Sequence, residues 1–199
     1  MKKMLAVLVV ALALATTGIA WAVNYKNPVP STGTTEAVAM QRGSTGQNTV
    51  LTAYSVTSDK ALSTLKVYLG GNSTEVKGSS LLNQKILKVA STTGFDATTP
   101  GAGDYVMIQL GTTNQWNRIS SITDGVSLNL VTNLSATTAS GDRIYKMTQA
   151  AALPVGAATA AATAGSPLGF LGSDKGMPMA ATLDGTSAVS INMFSLIQQ

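Results

Sequence analysis

The sequence predicts an all-β protein: an antiparallel β-sandwich or small β-barrel with extended N- and C-terminal arms. Three observations carry this reading. Apolar and polar residues alternate at period two in one segment after another, the mark of half-buried strands. Asp-Gly and Gly-Asp pairs punctuate those segments, as tight β-turns require. The third is composition: 26 Thr and 19 Ser accompany only 11 % charged residues, so the surface is made of hydroxyls rather than Lys and Glu.

The N-terminal segment stands apart. Lys2 and Lys3 form a basic start, the twelve residues Met4 to Ala15 are unbroken apolar, and Ala20-Trp21-Ala22 supplies small residues at a cleavage position. This is the three-part pattern of a secretory signal, expected to end at Ala22 and to send the chain out of the cell or to its surface. The alternative is an uncleaved membrane anchor, since Met4 to Val23 is about long enough to span a bilayer. In that case the membrane is a partner only through this segment. The absence of Cys excludes a lipoprotein anchor. Removing residues 1–22 leaves eleven Lys and Arg against nine Asp and Glu, a formal charge of +2 instead of +4.

Residues 23–48 are rich in Pro, Thr, Gly and Ser and are expected to form an extended N-terminal arm, with one strand around Ala37 to Gln41. Residues 49–148 are the expected core. Strands are predicted at Val50 to Val56, at Leu65, Val67 and Leu69, at Lys85 to Ala90, and at Val106, Ile108 and Leu110. Further strands are predicted at Trp116 to Ile122, at Val126, Leu128 and Leu130, and at Arg143 to Thr148. Asp124-Gly125 marks a hairpin, Gly70-Gly71-Asn72 closes a run, and Gly103-Asp104 and Gly141-Asp142 each launch a strand. Residues 149–176 form an Ala-, Gly- and Pro-rich connector, with nine Ala between 150 and 164 broken by Pro154 and Gly156. Residues 177–199 form a C-terminal β segment too apolar to be a loose tail.

Much catalytic chemistry is excluded by composition. Without His or Cys there is no Ser-His-Asp triad, no Cys nucleophile, no disulfide and no zinc site of the usual ligands. Ser63 and Lys66 match the Ser-x-x-Lys spacing of penicillin-binding enzymes, but that chemistry needs a helix start and Lys66 lies in an alternating strand. Asp104, Asp124, Asp142 and Asp184 stand beside Gly, where carboxylates accept turn N–H groups, so a glycosidase pair is not indicated. No catalytic residue, cofactor or metal is therefore expected. The one cation reading is calcium in the loop Asp96 to Asp104, set against a plain turn.

Trp116, Asn117 and Arg118 are the candidate ligand-binding residues, with Trp116 and the Tyr residues offering a sugar-stacking platform near a sheet edge. The competing role for Trp116 is to cap a core poor in other aromatics. Asn72-Ser-Thr and Asn133-Leu-Ser are formal glycosylation sequons. Lys and Arg are scattered singly, so no nucleic-acid partner is expected.

The segments Ser58-Asp59-Lys60-Ala61 through Tyr68, Thr93-Gly94-Phe95, Gly103-Asp104-Tyr105-Val106, Ile119 to Leu130 and Gly141-Asp142-Arg143-Ile144-Tyr145 resemble small β-barrel modules of tailed-phage virion proteins, which recur in head-decoration and fibre proteins. Thr182 to Ala188 is similar to the closing strand of such proteins. The secretory segment departs from that pattern, and the resemblance assigns no functional residue. Taken together, these features predict an exported, non-enzymatic structural protein. It would assemble with itself into a surface layer, coat or filament through β-strand contacts. The alternatives are an adhesin or carbohydrate-binding module recognising cell-surface glycans, and a virion-type decoration protein.

Overall fold

The computed structural model describes residues 24–25, 29–33, 35–42, 47–60, 62–97, 103–155, 174 and 176–198. The segment expected as a secretory signal and most of the Ala-rich connector lie outside them. Every regular element among the described residues is a strand: β1 (Asn24–Tyr25), β2 (Val29–Gly33), β3 (Glu36–Arg42), β4 (Asn48–Ser58), β5 (Ser63–Glu75), β6 (Ile86–Lys88), β7 (Tyr105–Leu110), β8 (Thr113–Asp124), β9 (Ser127–Leu130), β10 (Arg143–Val155), β11 (Pro178–Asp184) and β12 (Val189–Gln198). The expected strands are all present, with β5 and β10 running six and seven residues beyond their predicted ends.

All pairings are antiparallel. In the smaller sheet β12 is central, with β4 on one side and β1 and β2 on the other. The larger sheet runs β3-β11-β5-β10-β7-β8-β9-β6. The two segments expected as arms therefore find partners inside the chain. β3 pairs with β11 over its whole length, from Glu36 opposite Asp184 to Arg42 opposite Pro178, and β2 pairs with β12.

The small sheet packs on the β3-β11-β5 end of the large one as a sandwich. Its core holds Val56, Leu65, Val67, Met179, Leu183 and Ile191, all 1 % exposed or less. Burying each such side chain stabilises the fold by about 1.5–3 kcal/mol. At the far end the large sheet closes on itself. Val76, just past β5, pairs with Val89, just past β6, and Lys77 N–H and Ala90 N–H donate to Lys88 and Glu75 carbonyls at 2.9 and 2.8 Å. This contact converts β5-β10-β7-β8-β9-β6 into a barrel. Val76, Leu87, Val106, Ile108, Ile119, Leu128 and Ile144 fill it with no measurable exposure. The sandwich and the barrel share the long strands β5 and β10.

Two expectations about local structure are corrected. Gly70-Gly71-Asn72 does not close a run but lies inside β5. Tyr145 pairs with Ser73 and Met147 with Gly70, so Gly71 and Asn72 together oppose Lys146 in a bulge. Gly70 is required by packing, because a Cβ there would sit 2.4 Å from Cδ of Pro178. The start of the Ala-rich stretch is also different. Ala150 to Val155 continue β10 and pair with β5 down to Ser63, so small residues there serve close strand packing. Asp124-Gly125 does form the predicted hairpin, with the Asp124 carboxylate accepting Val126 N–H at 2.9 Å.

Candidate functional site

Cross-strand partners share a sheet face. Met40 opposes Ala180, Ala180 opposes Tyr68, Met107 opposes both Tyr145 and Trp116, and Tyr105 opposes Arg118. These residues lie on one continuous face of the large sheet, opposite the sandwich and barrel cores. They form a third cluster, in which Tyr68, Met107, Tyr145, Met147 and Ala180 are buried and Met40, Tyr105, Trp116 and Met177 pack around them. Thioethers against aromatic rings fill irregular space well and add favourable sulfur–ring contacts.

The face is buried because the sheet curls over it. Arg42 of β3 donates to Gln109 Oε1 of β7 at 2.9 Å and to Tyr145 Oη of β10 at 2.5 Å, and its guanidinium lies 5.4 Å from the Tyr145 ring centre. In a flat sheet β3 and β7 would be roughly 19 Å apart, four strand spacings, which no arginine spans.

The predicted ligand-binding residues divide between two faces. Trp116 stacks on Tyr105 with ring centres 5.2 Å apart and planes at 17°, and meets Tyr68 edge-on at 5.0 Å. Arg118 lies 4.8 Å over the Tyr105 ring and donates from Nε to the Gly103 carbonyl at 2.8 Å. Asn117 points the other way and is buried. Its Nδ2 donates to Thr132 O at 3.0 Å, while Oδ1 accepts Thr132 N–H at 3.1 Å and Arg118 N–H at 2.9 Å. Asn117 holds the turn after β9 and does not join the platform. Trp116 packs within an aromatic cluster with Tyr68 and Tyr105.

The sequence points to Trp116 and the tyrosines as stacking residues without singling out Tyr68 and Tyr105 among the five. The available signal was the alternation itself, which puts Tyr68 opposite in phase to Leu65 and Val67, and Tyr105 opposite to Val106 and Ile108. A cavity of about 380 Å³ opens beside this cluster, lined by Tyr68, Gly103, Asp104, Tyr105, Lys146, Met147, Thr148 and Gln149. Its charges are already matched, because Lys146 Nζ lies 2.9 Å from Asp104 Oδ2, which also accepts Asp96 N–H at 2.7 Å. Within the proposed calcium loop, then, Asp104 serves a lysine and a backbone amide. Among the described residues no three His, Cys, Asp or Glu side chains gather as a metal site. Ser63 and Lys66 point to opposite faces of β5. The Ser63 hydroxyl, fully buried, is 2.7 Å from Ser58 Oγ and donates to Asp184 O at 3.0 Å, so its role is to tie a turn.

The second feature with functional potential is a sheet edge. β4 runs for eleven residues without charge, Gly or Pro, and among the described residues it pairs with β12 alone.

No family model matches the chain, and no curated protein matches it. Among solved structures it is similar to VP17, a capsid protein of bacteriophage P23-77, at 12 % identity and a TM-score of 0.21, over 88 % of this chain and 97 % of that one. It is also similar to the complex of VP16 and VP17, the two major capsid proteins of the same phage, at 10 % identity and a TM-score of 0.21, over 84 % and 99 % of the respective chains. The chain weakly resembles phage capsid proteins.

Proposed function

We propose that this chain is an exported, non-enzymatic structural subunit that joins copies of itself into a coat along its sheet edges. The observation that carries the reading is the β4 edge. A long, uncharged strand that pairs on one side alone among the described residues is a template for another strand, and its single bulge, at Leu51 to Ala53, leaves Tyr54 to Ser58 regular. The low charge of the chain, 11 % of residues, weakens repulsion between subunits that pack closely. The Gly-Asp modules that resemble virion proteins favour a virion-type coat over a cell-surface layer. These modules build the closed barrel of β5 to β10, which leaves the sandwich end free to present its edge.

The test is sedimentation and light scattering of the exported protein beside its Ser55→Lys variant. Ser55 lies in β4, outside the sandwich core, so a lysine there charges the edge without entering the core. Large particles from the natural protein, lost in the variant with its melting temperature retained, support the reading. A natural protein that stays monomeric at high concentration overturns it.

A second reading is a ligand-binding module. The cavity beside Tyr105 and Trp116 favours it, because aromatic faces next to polar groups suit a sugar. A glycan array with a Trp116→Ala control tests it: binding that vanishes in the variant supports a lectin, and an array with no binding rejects one.

A further inference from the structure

Among the described residues, six large apolar side chains stand exposed, and five of them fall at two places. Leu62, 87 % exposed, crowns the turn between β4 and β5. Ile86 and Val131 stand exposed where β6 runs beside β9, and Leu81 and Leu82 stand exposed in the turn that leads into β6. β5 lies between them. Its thirteen residues, counted from Ser63 beside the first site to Glu75 near the second, span on the order of 40 Å. The two sites are therefore at opposite ends of the molecule and cannot meet within one copy.

Both are held in place. Leu62 has φ of +63°, a left-handed conformation that a branched apolar residue rarely adopts and that Gly or Asn would fill without strain. The turn that imposes it is braced on every side. The Asp59 carboxylate accepts Thr186 N–H and Ser187 N–H, both at 2.7 Å, Ser58 and Ser63 join hydroxyls, and Lys60 pairs with Asp184. A strained, 87 % exposed leucine contributes little to its own fold. At the other end, Leu130 N–H donates to Lys85 O at 2.8 Å and Leu134 N–H to Gln84 O at 2.9 Å. The inward side chains there, Leu87, Leu130 and Leu134, already fill the barrel, so the four outward aliphatics are surplus to it.

We propose that Leu62 of one copy seats on the Leu81–Leu82–Ile86–Val131 patch of the next, a head-to-tail contact that propagates assembly. The occupant of the patch is thus a second copy of this chain. Charge supports that choice. The exposed Asp59 stands beside the leucine and the exposed Lys85 beside the patch, so docking brings opposite charges together. The sites differ from each other, so the contact is heterologous and extends into a row rather than closing a dimer. This inference rests on the self-assembly reading and adds the second contact that an edge alone does not supply.

The chain has no cysteine, which makes the contact directly testable. Full-length exported Leu62→Cys and Leu82→Cys proteins are mixed in equal amounts, oxidised and resolved on a non-reducing gel, with peptides identified by mass spectrometry. The 62–82 cross-link is expected to exceed the 62–62 and 82–82 products about tenfold, since only apposed Cβ atoms can be bridged. In parallel, Leu62→Asp is expected to raise the concentration for half-assembly at least about tenfold while the melting temperature holds. Assembly by the natural protein with no 62–82 preference and no effect of Leu62→Asp overturns this contact and leaves the β4 edge standing. A natural protein that never assembles overturns both.

Discussion

Val76 and Val89 face each other across a single antiparallel bridge, and that bridge closes six strands of the eight-stranded sheet, β5-β10-β7-β8-β9-β6, into a barrel. Both side chains are buried, at 0 % and 2 % exposure. Without this contact the free edges of β5 and β6 would each need another partner. Val76→Ala removes two methyl groups from the seam and is expected to cost about 2 kcal/mol, the transfer of those groups plus a small cavity. Urea titration followed by tryptophan fluorescence measures this as a lower midpoint at unchanged slope.

Adjacent glycines in the β5 bulge should respond in opposite ways. Gly70→Ala drives a methyl into the ring of Pro178 at the start of β11 and is expected to destabilise by about 1–3 kcal/mol. Gly71→Ala meets nothing within 4 Å and is expected to fall within about 0.5 kcal/mol of the natural protein. Thermal melts of the two variants decide the matter.

Asp142 explains why a Gly-Asp pair launches β10. Its buried carboxylate accepts Ala139 N–H at 2.8 Å and Gly111 N–H at 3.3 Å, tying the turn before β10 to the turn after β7. Asp142→Ala strands both amides and is expected to cost about 1–3 kcal/mol. Hydrogen exchange should show the loss at the Gly111 and Ala139 amides first.

The brace at Leu62 should weaken in acid. A hydrogen bond from the Ser187 hydroxyl, with further ones from the Thr186 and Ser187 amides, holds the Asp59 carboxyl at about 2, below its ordinary 3.8. The folded state thus favours the ionised form. Its stabilisation is complete above about pH 4 and is lost as pH falls through about 2. Melting temperature should therefore fall over that window, and Asp59→Asn should flatten that part of the fall.

Strand positions were legible because alternation is a local property: Leu65, Val67 and Leu69, or Val106, Ile108 and Leu110, record one buried face each. The turn residues Asp124 and Asp142 were legible for the same reason. Pairing between distant strands was not. Residues 23–48 looked like an arm because their partners, β11 and β12, lie more than a hundred residues away. Gly70-Gly71-Asn72 looked like a chain reversal because a bulge and a turn use the same residues. Trp116 stood out as a rare ring, but its neighbours Tyr68 and Tyr105 reach it through the curl of the sheet, which no short segment encodes. Leu62 was hidden among ordinary leucines, since exposure and backbone strain are properties of the fold alone.

Electron microscopy of the purified protein tests the central claim most directly. The account predicts a regular row, filament or lattice with a repeat of one molecule, dispersed by Ser55→Lys. A field of single, separate particles at high protein concentration would contradict it.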